Sequence, residues 1–188
     1  KDLNNRASKV LGKLVHKLDG ETLIIEPWGQ DGLRVRVTTG HEILDTAWAL
    51  TESVESRATI EISEAEAAIR NGKISARIQD IRTKKGHVQF FKQTGDSETC
   101  ILSEYDYVVN AHNPGTRTFR PVGEGLFHTE VHFAARDGER CYGMGLNATG
   151  RVNLKGSVID LYQRHVKHVV PFLVSSEGYG FLWNNPSL

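Results

Sequence analysis

The chain has 188 residues, 39% of them hydrophobic and 24% charged, ordinary values for a folded globular protein and enough for one sizeable core. Lys plus Arg equals Asp plus Glu, at 23 each. The basic excess of a nucleic-acid binder is therefore missing, no run approaches the ~18 apolar residues of a membrane-spanning helix, and neither nucleic acid nor membrane is an expected partner.

The chain opens at Lys1 without a signal-peptide pattern, and Met144 is its single methionine. It reads as a processed or excised piece of a longer protein. Short-period alternation appears early. Leu33, Val35 and Val37 alternate with Arg34, Arg36 and Thr38, as in a strand with one buried face. Asp19-Gly20 and Asp31-Gly32 punctuate the runs on either side. Next comes an ambiguous segment. Ser63 and Glu66 have capping-box spacing, and Ala65 to Arg70 favour helix. A strand is nevertheless the preferred reading, because the segment leads into Asn71-Gly72, a strong hairpin signal. Ile74, Ala76 and Ile78 then alternate with Ser75, Arg77 and Gln79.

Further along, Thr94-Gly95-Asp96 marks another turn, and residues 110–121, rich in Asn, Pro, Gly, Thr and Arg, read as a long surface loop. The longest alternation follows: Phe127, Thr129, Val131, Phe133 and Ala135 against His128, Glu130, His132 and Ala134. Asp137-Gly138 closes it. Turn signals every dozen or so residues between alternating runs predict an all-β fold, an antiparallel β-sandwich. Cys100 and Cys141 lie in strand-like runs without C-x-x-C spacing. They are expected to be free thiols, which fits a reducing, cytoplasmic location.

Self-contained chemistry is hard to find. His128 and His132 are four apart, but on a strand that is ~13 Å, too far for one zinc ion with ligands at ~2.0–2.1 Å. His165 and His168 are three apart and would face opposite sides of a strand. No metal site is expected. Ser175-Ser176 and Ser187 lack a G-x-S-x-G context. Gly143-Met144-Gly145 lacks the third glycine of a phosphate loop. No cofactor is expected, and no carboxylate pair is singled out as catalytic.

The last third carries a more specific pattern. Gly138-Glu139-Arg140-Cys141-Tyr142-Gly143-Met144-Gly145 is followed by Asn153-Leu154-Lys155-Gly156, Ile159-Asp160-Leu161-Tyr162-Gln163 and Pro171-Phe172-Leu173-Val174-Ser175-Ser176. Gly178-Tyr179-Gly180-Phe181-Leu182-Trp183-Asn184-Asn185-Pro186-Ser187 ends the series. In order and spacing it resembles the end of the N-terminal, galactose-mutarotase-like domain of glycoside hydrolase family 31, which includes α-glucosidases and α-xylosidases. Ile25-Glu26-Pro27-Trp28-Gly29, with the strand after it, is similar to the opening of the same domain. Within these motifs Pro171 should start a strand, with Phe172 to Val174 in the core.

The resemblance implies a galactose-mutarotase-like supersandwich over residues 1–188. It also implies a retaining glycosidase whose two carboxylates lie in a (β/α)8 barrel following residue 188. That barrel would be the domain's own partner, and an oligosaccharide or α-glycoside its substrate. In the family, a sandwich loop leans over the barrel mouth and helps wall the sugar subsite. The matching loop follows the strand expected over Ile159 to Gln163. Where many members carry Asp or Asn near the tip, this chain has His165, flanked by Gln163 and Arg164, and these three are the expected substrate-binding residues. Leu146 stands where many members have Glu. Two other readings remain open: a free-standing carbohydrate-binding sandwich, with Trp28, Trp48 and Trp183 as stacking candidates, and a mutarotase-like epimerase using His128, Glu130 and His132.

Overall fold

The structure, a computed structural model, describes residues 6–40, 42–47, 49–51, 57–79, 81, 86–105, 116–146 and 150–185. Among the described residues there are fourteen strands and no helix. The chain separates into two compact units, one of Lys1–Asp45 with Glu52–Ala134 and one of Thr46–Thr51 with Ala135–Leu188.

The first unit is an antiparallel sandwich, as its alternating runs predict. One sheet is made of β1 (Ala7–Val10), β2 (Lys13–Leu18), β3 (Glu21–Pro27) and β4 (Leu33–Thr39), in that order. The other is made of β5 (Thr59–Ile62), β6 (Glu66–Asn71), β7 (Ile74–Gln79), β8 (Val88–Thr94) and β9 (Ser97–Ser103). Register places Leu14 opposite Ile25 and Ile25 opposite Val35, all on one face. In the second sheet Ile69 lies opposite Ala76, and Ile78 opposite Val88. These faces meet in one cluster in which Leu14, Leu23, Ile25, Ile69, Ile78 and Val88 are fully buried. Each such side chain contributes roughly 1.5–3 kcal/mol by leaving water. Arg34 and Arg36 turn to the opposite face of β4, where Arg36 pairs with Glu26 at 2.7 Å and Arg34 stands 3.6 Å from the same carboxylate.

The Ser63 segment forms a strand. The Ser63 hydroxyl donates to the Glu66 carbonyl and accepts from the Glu66 N–H, both at 3.0 Å. It closes a turn that launches β6, and the apolar face of Ala67 and Ile69 outweighs the local helix preference. At the far end of β6, Asn71 donates to the carbonyls of Gly29 and Gly32, at 2.8 and 2.7 Å. Asp31 accepts the Lys73 N–H at 2.6 Å. The β3–β4 and β6–β7 turns thus lock the sheets together. Gly72 has φ +58°, and a Cβ there would collide with the Asp31 carboxylate.

A two-stranded ribbon, β10 (Arg117–Gly123) and β11 (Leu126–Val131), completes the unit. It corrects the loop expected over 110–121. Residues 110–115 lie outside the described residues, but 117–121 pair in register with 127–131. Arg117 explains why a polar stretch is structured. Buried with Glu21 and Glu104, it donates to Glu104 at 2.6 and 2.8 Å, to Glu21 at 2.8 Å and to the Gly86 carbonyl at 3.0 Å. Glu104 also accepts the Val88 N–H at 2.8 Å. Burial pushes the Glu104 carboxyl above its ordinary value, against the pull of the guanidinium. His16, on the core face of β2, donates from Nε2 to the Ile81 carbonyl at 3.1 Å. Burial lowers its pKa, and Arg117 adds to the effect.

The second unit holds β12 (Cys141–Leu146), β13 (His168–Ser175) and β14 (Tyr179–Leu182), all antiparallel. Three expectations are corrected here. First, β13 begins at His168, not at Pro171. Pro171 lies inside the strand where the ladder to β12 is irregular, between Gly143 and Gly145, and its carbonyl accepts the Trp183 N–H at 2.9 Å, one residue beyond the end of β14. Second, Phe172 and Val174 are not core. They are 41% and 43% exposed, with Val170 at 50% and Leu182 at 36% beside them. The β13 sequence is apolar on both faces, and the described residues cover just one of them. Third, Ile159 to Gln163 do not form a strand, because their backbone groups join no ladder and regular pairing resumes at His168.

Candidate functional site

The segment singled out from sequence forms a tight reverse turn over residues 164–167. The Lys167 N–H donates to the Arg164 carbonyl at 3.1 Å, and the two residues make an isolated antiparallel bridge. His165 and Val166 occupy the tip and are exposed, Val166 by 74%. The polar run therefore does make an exposed projection, with His165 at its apex.

The three expected binding residues differ in what they offer. His165 makes no hydrogen bond to any described residue. Arg164 lays its guanidinium over the exposed Tyr162 ring, 5.2 Å from the centroid, a cation–π contact that limits where the charge can point. Gln163 is turned back on its own backbone. Its amide nitrogen donates to the Lys167 carbonyl at 2.5 Å, and its oxygen accepts the Val169 N–H at 3.1 Å. Tyr162 was missed at the sequence level. An aromatic residue at the edge of a polar run was the available signal.

Elsewhere in the second unit, Glu139 is buried and accepts hydrogen bonds from the Ser175 hydroxyl at 2.5 Å and the Tyr179 hydroxyl at 2.7 Å. Burial, reinforced by the Glu139 contact, holds the Tyr179 phenol well above its ordinary value. Ser175 lies buried beside a carboxylate, and among the described residues its hydroxyl is engaged by Glu139 and the Glu177 N–H rather than by an imidazole. Gly143 and Gly145 form no phosphate loop. Both have positive φ where β12 runs close against the β13 backbone, and a Cβ on Gly143 would come within 2.5 Å of the Phe172 carbonyl oxygen.

In the first unit, His128 and Glu130 share one face of β11, and His132 follows one residue past its end. Glu130 lies between the two histidines, 3.1 Å from His128 and 3.6 Å from His132. The His128 hydrogen bond holds the Glu130 carboxyl below its ordinary value. Among the described residues no group of three or more His, Cys, Asp or Glu could hold a metal ion. The Arg34 guanidinium sits over the Trp28 ring at 4.9 Å, and Trp183 stacks against Phe181 at 6.2 Å. Both tryptophans are partly buried, and Trp48 lies outside the described residues. Cys100 and Cys141 are free thiols.

The family model of the glycosyl hydrolase 31 N-terminal galactose mutarotase-like domain matches residues 22–188. The chain belongs to that domain family. This family 31 domain is 34% identical to an uncharacterized family 31 glucosidase of Pseudescherichia vulneris, over 92% of the chain and 34% of the relative. It is 32% identical to alpha-xylosidase A of Aspergillus niger, over 89% of the chain and 24% of that relative. Among solved structures it is similar to a family 31 α-xylosidase from a soil metagenome, complexed with xylose. That match has a TM-score of 0.84 at 34% identity and covers 96% of the chain and 28% of that protein. A xylosidase from Aspergillus niger follows, with a TM-score of 0.75 at 26% identity, covering 92% and 26% respectively. The chain thus spans about a quarter to a third of the length of these relatives.

Proposed function

We propose that this family 31 domain is the non-catalytic N-terminal part of a retaining α-glycosidase that removes terminal α-linked sugars. α-Xylosides are favoured as substrates over α-glucosides. The observation that carries the choice of sugar is the likeness to the xylose-bound α-xylosidase, which covers nearly the whole chain at a TM-score of 0.84. A non-catalytic role is supported from within the described residues. Their buried carboxylates Glu21, Glu26, Glu104 and Glu139 are each committed to hydrogen bonds or ion pairs that hold the fold.

In this reading the (β/α)8 barrel that supplies the nucleophile and the acid/base carboxylate docks on the uncovered apolar face of Val170, Phe172, Val174 and Leu182. Exposed apolar patches of this kind are common at protein contacts. The 164–167 turn helps wall the sugar pocket, with His165 and Arg164 offering hydrogen bonds to sugar hydroxyls. The enzyme works in the cytoplasm, where the two thiols stay reduced. A panel of aryl α-xyloside, α-glucoside and α-galactoside, assayed with the full-length enzyme, tests the substrate. The highest kcat/KM should fall on the α-xyloside, with the anomeric configuration retained. Preference for the α-glucoside would overturn the choice of sugar, and inversion would overturn the mechanism.

A further inference from the structure

Resting on the pocket-wall reading above, we propose that Gln163 is a positioning residue: its carboxamide pins the 164–167 turn to the start of β13 and so fixes the reach of His165 and Arg164 toward the sugar. The geometry is that of a substitute strand residue. A residue on a parallel neighbouring strand would give its N–H to the carbonyl of one residue and take, on its own carbonyl, the N–H of the residue two further on. The Gln163 side chain does this with the Lys167 carbonyl and the Val169 N–H, at 2.5 and 3.1 Å. It therefore continues the β13 edge across the base of the turn.

Little else holds the turn. Among the described residues the backbone closes the turn with one hydrogen bond, from the Lys167 N–H to the Arg164 carbonyl. The tip residues His165 and Val166 are exposed, so packing does not fix them. Arg164 is held in direction by the Tyr162 ring rather than by the turn itself. The brace needs a donor and an acceptor in one planar group of this length. Methionine has the length and neither function. An ionised glutamate keeps the acceptor and loses the donor, setting a negative charge against the Lys167 carbonyl. A looser turn would weaken contacts made equally in the ground state and the transition state, so the effect belongs in KM rather than kcat.

The test uses the full-length enzyme with aryl α-xyloside and compares Gln163→Met, Gln163→Glu and His165→Ala. Hydrogen exchange at the Val169 amide is followed in the same proteins. Both Gln163 variants should raise KM about threefold or more with kcat within about twofold. The Val169 amide should exchange roughly tenfold faster, without a change in the global melting temperature. A defect of folding alone would lower the active fraction and leave KM where it was. If His165→Ala raises KM while both Gln163 variants keep wild-type KM and wild-type Val169 exchange, the brace is refuted and the pocket-wall reading stands. If the Gln163 variants speed Val169 exchange and none of the three changes KM, the pocket-wall reading fails and the positioning role fails with it.

Discussion

Replacing Arg117 by Met should destabilise the first unit severely. Arg117, Glu21 and Glu104 have side chains 4–5% exposed, and the guanidinium reaches both carboxylates at 2.6–2.8 Å. Methionine fills much of the same volume, so the loss is chiefly electrostatic: two buried carboxylates lose their shared cation. Removing one partner of a buried ion pair typically costs about 3–5 kcal/mol. At roughly 2–4 °C per kcal/mol for a chain of this size, the melting temperature should fall by about 6–20 °C. Burial already pushes the Glu104 carboxyl up, and without Arg117 its main opposition is lost, leaving the Val88 N–H hydrogen bond against it. A group whose folded pKa lies above its unfolded one favours folding at low pH and loses that contribution as pH rises through the folded value. The deficit of Arg117→Met should therefore widen with rising pH. Adding Glu21→Gln and Glu104→Gln should recover more than half of the loss, since neutral amides need no cation. Thermal unfolding followed by near-ultraviolet circular dichroism at several pH values measures all of this. A single-variant cost below about 1 kcal/mol, or a triple variant no better than the single, would show that the network is not buried as described.

Gly72→Ala should cost at least ~1–2 kcal/mol in chemical denaturation, because the site has positive φ and the new Cβ meets Asp31; an unchanged midpoint would contradict the turn-to-turn lock. His16 has its pKa lowered by burial, so the unfolded chain takes up the proton first, and stability attributable to this residue is lost as pH falls below about 6.5 toward the folded value. His16→Gln keeps an N–H donor for Ile81 and should flatten that acid limb; an unchanged pH profile would show that His16 is not the group titrating. His165→Ala should change domain stability by no more than about 0.5 kcal/mol while lowering kcat/KM of the full-length enzyme about 2- to 10-fold; a large loss of stability would place His165 in the core.

The sandwich was legible where alternation and turn chemistry agreed. Leu33, Val35 and Val37 pack on the core as their spacing predicts, and Asn71-Gly72 turns the chain between β6 and β7. The Arg117 clasp was not legible. Glu104 lies 13 residues away and Glu21 lies 96 away, and nothing local distinguishes the buried Arg117 from the exposed Arg120 in the same stretch. The face of β13 was misjudged for a different reason. Apolar Val170, Phe172 and Val174 promise burial, but sequence does not say whether the cover comes from this chain or from elsewhere. At the turn, the loop expected around His165 is an exposed projection. The inward role of Gln163 depends on the register between the turn and β13, which residue type alone does not encode.

The proposed role requires that the domain have no hydrolytic activity of its own. The most direct measurement compares the purified 188-residue chain with the full-length enzyme, at equal molar concentration, on aryl α-xyloside. The full-length enzyme should turn over, and the domain alone should match a mock preparation. Turnover by the domain that rises with its concentration and is lost on substitution of Glu130 or Glu139 would contradict the account and place a catalytic carboxylate within this chain.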